Sequence, residues 1–188
     1  TPPNPFRVRA IRAFGTNTVT LSCAQGGTCK IGDTGPGGGK VFYVAPDFFM
    51  VNGKSARYLE DSPNDSQGTG CKQRSNCLRS SKLAVARDSG AVNTSQILNS
   101  EGVLPDVGEL IKQGVNGKFD WYVPSIDELI KLNRQRVMVG GFRWGYYWSS
   151  SFVNGGMLGF GLNMQRNAAD EVLFRWEPAG IRLIRAFG

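Results

Sequence analysis

Apolar and polar residues alternate in several short stretches of this chain, and a period of two is typical of half-buried β-strands. Gly, Pro, Asn and Asp residues, which favour turns, separate these stretches. The pattern predicts a small twisted antiparallel sheet whose strands are joined by tight turns. Strands are expected at residues 6–14, 18–22, 41–45, 56–60, 121–123 and 180–187, in an aromatic-rich stretch after Gly141, and in short segments between residues 152 and 176.

Turn residues and strand boundaries also predict a hairpin. Pro46-Asp47 and Asn52-Gly53-Lys54 bracket the second half of one apolar stretch. Asn-Gly is the dipeptide that tight hairpin turns favour most strongly, because both of its residues tolerate a positive φ. We therefore expect a hairpin that these two segments bracket.

A capping box predicts the start of a helix at Ser125, because Glu128 follows three residues later. Pro124 keeps the residue before it extended, so the helix cannot begin earlier. Apolar residues at helical spacing follow, and we expect the helix to continue through Arg136 and to stop before Gly140-Gly141.

Two shorter helices are predicted at residues 82–86 and 107–111, whereas residues 93–102 remain unassigned between a loop and an irregular helix. Two or three short helices set against a small antiparallel sheet make an α+β domain.

Composition is that of one compact domain, with 188 residues of which 40% are hydrophobic. The net charge of +7 is spread along the chain without a basic block, so it either serves solubility alone or attracts anionic surfaces such as sulfated or phosphorylated glycans. Nucleic acid is not expected as a partner, since no zinc-finger spacing or RNA-binding signature accompanies the charge. Membrane insertion is not expected either, because no apolar run approaches eighteen residues.

The four cysteines form two equally spaced pairs, Cys23 with Cys29 and Cys71 with Cys77. Five residues separate the members of each pair, and the chain contains no His, so the pattern does not fit a zinc site. Disulfides are the better interpretation, with three connectivities open. Oxidised cysteines indicate an exported compartment.

Residues 9–15 read Arg-Ala-Ile-Arg-Ala-Phe-Gly and match residues 182–188 at all but one position. Either residues 1–15 are the end of a preceding repeat of this domain, which we favour, or two like strands occupy equivalent edges of one assembly. The binding domain itself is then expected to span residues 16–188. The chain also begins without Met or a signal-peptide core, which suggests a piece of a longer protein.

Motifs for catalysis or cofactor binding are weak. The glycine-rich stretch at residues 31–40 has the wrong spacing for a phosphate-binding loop and is interpreted as a turn into a strand. Asp61 and Asp65 could ligate calcium, but turn chemistry explains them as well. Without His a Ser-His-Asp triad cannot form, so a hydrolase would need paired carboxylates such as Asp61 with Asp65 or Asp170 with Glu171. No metal and no cofactor is expected.

Three motifs in order carry a resemblance to a known family. They are Gly32-Asp33-Thr34-Gly35-Pro36-Gly37-Gly38-Gly39-Lys40-Val41-Phe42-Tyr43, Trp121-Tyr122-Val123-Pro124-Ser125-Ile126-Asp127-Glu128-Leu129 and Tyr147-Trp148-Ser149-Ser150-Ser151, with a closing Ile181-Arg182-Leu183-Ile184-Arg185. Over residues 31–187 the chain resembles the C-terminal domain family of bacterial collagen-like adhesins. That family is similar in fold to the formylglycine-generating-enzyme branch of C-type lectins. The resemblance implies a C-type lectin-like domain, secreted or on the cell surface. It further implies a repeated or trimeric module at the tip of a fibre.

The chain departs from the active members of that fold in two ways. Calcium-dependent sugar-binding lectins use Glu-Pro-Asn or Gln-Pro-Asp with a later Trp-Asn-Asp, whereas this chain has only Glu177-Pro178-Ala179. The formylglycine-generating enzymes need a redox-active cysteine pair in the substrate cleft, whereas all four cysteines here lie early in polar loops. Neither activity is therefore expected.

The resemblance places the binding face in the loops after the second helix, while Trp121, Trp148 and the serine run are expected to pack the core. Flat aromatic rings stack on sugars, amides pair with hydroxyls and Arg binds sulfate or phosphate. The candidate ligand residues are Arg143, Trp144, Tyr146, Asn154, Asn163, Gln165, Arg166, Asn167, Asp170, Arg175 and Trp176.

These observations predict a non-enzymatic adhesin or receptor-binding domain that recognises a cell-surface glycan, preferably anionic, or a protein receptor. Two alternatives stay open. The domain could be a spacer in a repeated surface array, or an enzyme of the formylglycine-generating or hydrolase type. A homotrimer is expected from the resemblance alone.

Overall fold

A computed structural model describes residues 20–69, 86–99, 105–153, 158–167 and 169–188. Within these ranges a short 3-10 turn, four helices and eight strands are present. The turn is Cys23–Gln25; the helices are α1 (Gly90–Leu98), α2 (Pro105–Gln113), α3 (Ile126–Arg134) and α4 (Arg136–Val139); the strands are β1 (Val41–Val51), β2 (Lys54–Asp61), β3 (Ser66–Gly68), β4 (Tyr146–Phe152), β5 (Leu158–Asn163), β6 (Glu171–Phe174), β7 (Ala179–Ile181) and β8 (Ile184–Phe187).

The strands form two sheets, one with the order β1-β2-β8 and the other with the order β3-β7-β4-β5-β6. Neighbouring strands are antiparallel except for β4 and β7, which pair in parallel. The α+β class predicted from the sequence is confirmed. The prediction of a single antiparallel sheet is wrong, because the described residues divide between two sheets and one of them is mixed.

The C-terminal segment, predicted as one strand over residues 180–187, contains two strands in different sheets. Ile181 at the end of β7 pairs with Ser66 of the five-stranded sheet, whereas Ile184 at the start of β8 pairs with Asp61 of the three-stranded sheet. Arg182 lies between them and turns its side chain into a buried set of carboxylates. This inward turn is what breaks the strand.

The β1-β2 hairpin turns at Asn52 and Gly53, whose φ values are 49° and 76°. That prediction is confirmed. Pro46, predicted to bound the strand, instead lies inside β1, where the pairing with β2 shifts register between Val44 and Phe49. A proline has no N–H to donate, and Pro46 lies at the irregularity in the pairing of β1 with β2.

The capping box at the start of α3 is confirmed. Ser125 Oγ accepts the backbone N–H of Glu128, and Glu128 Oε2 accepts the backbone N–H of Ser125 at 2.8 Å. The helix predicted to run through Arg136 is interrupted at Gln135 and resumes as α4. Gly140, with φ of 69°, follows its end as expected.

Helix α1 covers part of the segment that the pattern left unassigned. Its buried face mixes polar and apolar residues, with Asn93 and Thr94 buried beside Ala91 and Ile97. Asn93 Nδ2 donates to Ala86 O at 2.6 Å, and Thr94 Oγ1 lies 3.2 Å from Val123 O. Polar residues on the buried face weaken the apolar periodicity, which is why the sequence pattern missed this helix. The helix predicted at residues 107–111 is confirmed within α2.

Some predicted elements fall outside the described residues. Residues 82–85 and the strand at 6–14, with the whole of segment 1–15, belong to this group. The strand predicted at residues 18–22 is wrong for its described part, because Thr20 and Leu21 are not in a strand and Ser22 caps the 3-10 turn.

Two large apolar clusters and a third, smaller one form the core of the described residues. One of the large clusters packs Trp121, Trp148 and Phe152 beneath α1 and α2, and the other packs Tyr147 and Leu162 against α3. The burial expected for Trp121 and Trp148 is confirmed.

The buried serines of β4 bond main-chain groups of other elements. Ser149 Oγ donates to Phe160 O at 2.7 Å and Ser151 Oγ donates to Ala86 O at 2.6 Å. Ser151 Oγ also accepts the N–H of Ile126 at 3.1 Å, so Ser149 and Ser151 satisfy buried backbone groups as predicted, whereas the buried Ser150 Oγ has no hydrogen-bond partner among the described residues.

A disulfide joins Cys23 to Cys29 with their Cα atoms 4.8 Å apart. Both cysteines are buried and pack with Val41 and Tyr58, so the loop is fastened onto the three-stranded sheet. Local pairing is thereby confirmed for the first cysteine pair. Cys71 and Cys77 lie outside the described residues.

Glu128 should make the stability of the domain depend on pH. It is buried, and burial raises the pKa of its carboxyl, although bonds from Ser125, Tyr122 and Gly90 partly offset the effect. Because the pKa is higher in the folded than in the unfolded state, this group favours folding most below its unfolded pKa. Its contribution is then lost as pH rises through the folded pKa. We expect the free energy of unfolding of the wild type to fall from pH 5 to pH 8.

The Glu128→Gln variant tests this expectation in urea unfolding at both pH values. Gln cannot ionise, so the decline should be smaller than in the wild type. Part of it should persist, because burial also raises the pKa of Glu60 and of Asp61. Identical declines in both proteins would show that Glu128 is not responsible.

Candidate ligand-binding face

Several candidate ligand residues meet at one end of the five-stranded sheet. Strand β4 begins at Tyr146, β5 ends at Asn163 and β6 begins at Glu171, and in the ladder Tyr146 pairs with Asn163. A tight turn follows β5 and carries Gln165 and Arg166, both exposed. We call this set, Tyr146, Asn163, Gln165, Arg166 and Glu171, the polar end of the sheet.

Glu171 is the centre of the polar end. Its Oε2 accepts a hydrogen bond from the Tyr146 hydroxyl at 3.0 Å, and its Oε1 lies 2.9 Å from Arg166 Nη2. This bond raises the pKa of Arg166, and the guanidinium remains largely open to solvent, with 64% of the side chain exposed. The polar end thus presents a phenol, a carboxylate and a guanidinium side by side.

Hydrogen bonds from a side chain of α3 hold the turn after β5. The buried Asn133 donates from Nδ2 to Asn163 O and to Arg166 O, at 3.1 Å each. Met164 is buried in the turn, and its N–H donates to Gly145 O at 2.8 Å. The backbone that presents the polar end is therefore fixed before any ligand arrives.

Arg143 and Trp144 lie in the loop before β4. Arg143 is exposed, and its backbone N–H bonds the Tyr147 hydroxyl and Asp65 Oδ2 at 2.9 Å each. Trp144 is half-buried and covers Gly180, where an added Cβ would meet the indole at 2.5 Å. Its indole Nε1 is buried without a hydrogen-bond partner among the described residues.

Two further candidates on this part of the chain have different positions. Asp170 is paired with Arg87 at 2.9 Å, and Arg87 also lies 3.4 Å from Asp127 in α3. Arg175, predicted on the surface, is fully buried, with its guanidinium 4.5 Å from the centre of the Phe152 ring. Burial lowers the pKa of Arg175 to about 10. Its side chain is therefore not on the binding face.

The edge strand β6 adds Phe174 and Val172, which were not predicted, to the surface beside the predicted candidate Trp176. Trp176 stacks on Phe174 with their ring centres 4.6 Å apart. Phe174 and Val172 are each about half exposed, at 46% and 50%. Of the remaining candidates, Asn167 is exposed in the turn after β5, and Asn154 lies outside the described residues.

The carboxylates considered for calcium or for acid-base catalysis each bind an arginine. Arg182 Nη1 lies 2.5 Å from Asp61 Oδ2, and Arg182 Nε bonds Asp65. Asp170 and Glu171 bind Arg87 and Arg166, as described above. Among the described residues no group of three or more Asp, Glu, His or Cys residues could hold a metal ion.

A cleft of about 400 Å³ opens beside the bulge of β1, between that strand and the starts of α1 and α3. Lys131 reaches over it, with Nζ 4.7 Å from the centre of the Tyr43 ring. Phe48, Met50 and Val92 at its rim are 63%, 67% and 49% exposed. The sequence signal for this cleft is the continuous apolar run after Pro46. A regular strand points consecutive side chains to opposite faces, so it cannot bury them all on one face.

No helix in the described part of the chain is long and apolar enough to cross a membrane. No protein-family model matches the sequence, and a comparison with curated proteins finds no match. Among solved structures, a fimbrial protein from Bacteroides ovatus is similar at 16% identity with a TM-score of 0.43. That match covers 79% of this chain and 44% of the other. The residues of this chain are therefore the basis on which its function is inferred.

Proposed function

We propose that this chain is a non-catalytic binding domain of an exported surface or fibre protein, and that it recognises a cell-surface glycan through the polar end of its five-stranded sheet. The observation that carries the proposal is the grouping of Tyr146 and Arg166 on Glu171, with Asn163 accepting the N–H of Gln165 in the adjoining turn. These residues come from three strands and one turn, and of them Tyr146 also packs against the apolar core.

The side chains of the polar end suit a sugar that carries hydroxyl and anionic groups. Glu171 can accept hydrogen bonds from hydroxyls, and the amide of Gln165 can both accept and donate them. Arg143 and Arg166 are exposed cations that can bind sulfate, phosphate or carboxylate. The net charge of +7 attracts anionic glycans to the domain over a longer range.

Rigidity and aromatic surface support the same proposal. Asn133 and Met164 fix the backbone of the turn, so little entropy is lost when a ligand orders the polar end. The stacked Phe174 and Trp176 offer a flat apolar surface of the kind on which sugar rings pack.

The Cys23–Cys29 disulfide supports export, because such bonds persist in oxidising compartments. We also propose that the domain has a C-type lectin-like fold and that the loops after α4 form its binding face. We further propose that it is displayed at a fibre tip as a homotrimer, and the resemblance of the sequence motifs supports this.

A glycan array that includes sulfated glycosaminoglycans and bacterial polysaccharides tests the proposal at low and physiological salt. We expect binding that weakens as salt rises, because exposed charges are screened. The variant Arg143→Ala/Arg166→Ala should bind about 10 to 100 times more weakly, since bonds to charged groups contribute about 1.5–3 kcal/mol each and part of this is lost to solvent.

The matched control is Lys30→Ala/Lys112→Ala, which removes the same charge from exposed side chains elsewhere on the domain. It should retain the affinity of the wild type, apart from a small long-range effect. Binding that neither salt nor the Arg143→Ala/Arg166→Ala change affects would contradict the proposal.

A protein receptor is the second candidate, and the apolar rim of the cleft beside β1 favours it. Phe48 and Met50 are large, exposed and adjacent to an unfilled volume, which is the setting in which a partner side chain would be buried. A blank glycan array together with saturable binding to intact cells would favour this candidate over the glycan.

A further inference from the structure

The C-terminal segment 182–188 is held by four carboxylates, which we call the acidic cradle: Glu60, Asp61, Asp65 and Asp120. Arg182 bonds Asp61 and Asp65, and its guanidinium also donates to Ser62 O at 3.1 Å and to Gly141 O at 2.8 Å. Three of the four cradle carboxyl side chains are almost completely buried. They require cationic partners from this segment.

Arg185 fills the second half of the cradle. Its Nη1 lies 2.6 Å from Glu60 Oε1, while Nε and Nη2 bond the two oxygens of Asp120 at 2.7 and 3.1 Å. The paired geometry at Asp120 is specific for a planar guanidinium. Two arginines three residues apart are thus the main requirement of the cradle.

The other positions of the segment are also specified. Ile184 is fully buried and exchanges two backbone bonds of 2.9 Å with Tyr122. Phe187 packs on Tyr58 with ring centres 5.3 Å apart. Gly188 has φ of 103°, and a Cβ there would lie 2.5 Å from the Tyr58 ring. The cradle therefore accepts the sequence Arg-x-Ile-Arg-x-Phe-Gly.

Residues 9–15 reproduce every one of these requirements. Arg9, Ile11, Arg12, Phe14 and Gly15 stand at the places of Arg182, Ile184, Arg185, Phe187 and Gly188. The one difference is Ala10 at the place of Leu183, which is buried. The N-terminal segment should therefore bind the same cradle, but less tightly than the C-terminal segment does.

We propose that residues 9–15 of one copy of this chain can occupy the acidic cradle of a second copy, in place of its β8. The partner is a second copy because the cradle is built to this one sequence. Every intact copy fills its cradle with its own β8. Replacement requires that β8 leave the cradle, since Leu183 makes the native segment the tighter binder. Copies joined in this way would be linked head to tail, independently of any glycan.

The test uses the full chain with Arg182→Ala/Arg185→Ala, which loosens β8 and leaves the cradle acids in place. Light scattering should show association that grows with protein concentration. Adding Arg9→Ala/Arg12→Ala to the same chain should abolish that association. The proposal would be overturned if the two variants associated to the same extent, or if the molecular size of both changed independently of protein concentration.

A synthetic peptide of residues 6–15 gives a second measurement on the four-substitution chain. At about 100 times its Kd it should raise Tm by roughly 5–10 °C, whereas the peptide with Arg9→Ala/Arg12→Ala should not. If the variant does not fold alone, the native peptide must restore its near-ultraviolet circular dichroism. Arg185→Ala alone provides a milder background, and absence of any peptide effect in both backgrounds would overturn the proposal.

Discussion

Arg182→Ala is expected to lower the free energy of unfolding by about 3–5 kcal/mol, because it leaves buried carboxylates without their counter-ion. Asp61 and Asp65 both bond the Arg182 guanidinium, and the side chains of all three residues are no more than 3% exposed. Alanine also removes the guanidinium from the Phe142 ring, whose centre is 4.5 Å from Arg182 Cζ. Urea unfolding followed by circular dichroism measures the loss.

Arg166→Ala is the control for this substitution. It removes the same side chain from an ion pair that is largely exposed, where such pairs contribute at most about 1 kcal/mol. The two variants should therefore differ by at least about 2 kcal/mol. Similar losses in both would mean that burial of the pair does not determine its contribution.

Gly39→Ala is expected to destabilise the domain by about 3 kcal/mol, at the upper end of the usual cost of overpacking. A Cβ at Gly39 would lie 1.5 Å from the carbonyl oxygen of Asp61, and that contact is with backbone. Relief would require β1 and β2 to separate where Lys40 N donates to Asp61 Oδ1 at 2.6 Å. The same unfolding measurement applies.

Gly145→Ala is the matched control, because its nearest neighbour, Gln165, is 3.9 Å from the added Cβ. We expect a change within about 0.5 kcal/mol. If Gly39→Ala left the free energy of unfolding unchanged, the loop would have to move more freely than its packing indicates.

The loop around Gly39 has the structural role predicted from its spacing. The N–H of Gly37 already donates to Glu60 Oε1 at 2.9 Å, and Lys40 Nζ lies 3.2 Å from Thr34 Oγ1. The groups that would bind a phosphate in a nucleotide-binding loop are thus used within the domain.

Local signals in the sequence predicted the elements that local chemistry determines. The capping box of Ser125 and Glu128, and the Asn52-Gly53 turn, each depend on residues at most three positions apart. The buried aromatic strand β4 followed from its composition, because aromatic residues favour the half-buried surface of a sheet.

Distant contacts determined what the pattern could not predict. Arg182 is separated by 121 residues from Asp61 and by 117 from Asp65, and those partners break the final strand into β7 and β8. No periodicity within ten residues carries that information. Helix α1 was missed for a related reason, since Asn93 is buried by partners that lie outside the helix.

The candidate site residues followed from the family resemblance and not from periodicity. Tyr146, Asn163 and Arg166 were predicted because the resemblance implies a binding face in the loops after the second helix, and the structure brings them to one end of the five-stranded sheet. Arg175 belonged to the same stretch, but its contact with Phe152 places it inside, and the sequence around it gives no sign of this turn. The cleft depends on a bulge in β1, for which the apolar run after Pro46 is the sequence signal, but the alternation pattern alone did not predict it.

Residues 179–187 join the two sheets, since β7 lies between β3 and β4 and β8 lies beside β2. During synthesis, a nascent chain that ends before residue 179 can form the β1-β2 hairpin but cannot complete either sheet. The pairing of β7 with β3 and β4, and of β8 with β2, must then wait until this segment has left the ribosome, and pairing across such long separations is slow. The nascent domain therefore stays open until late in synthesis and closes only when its last strands arrive.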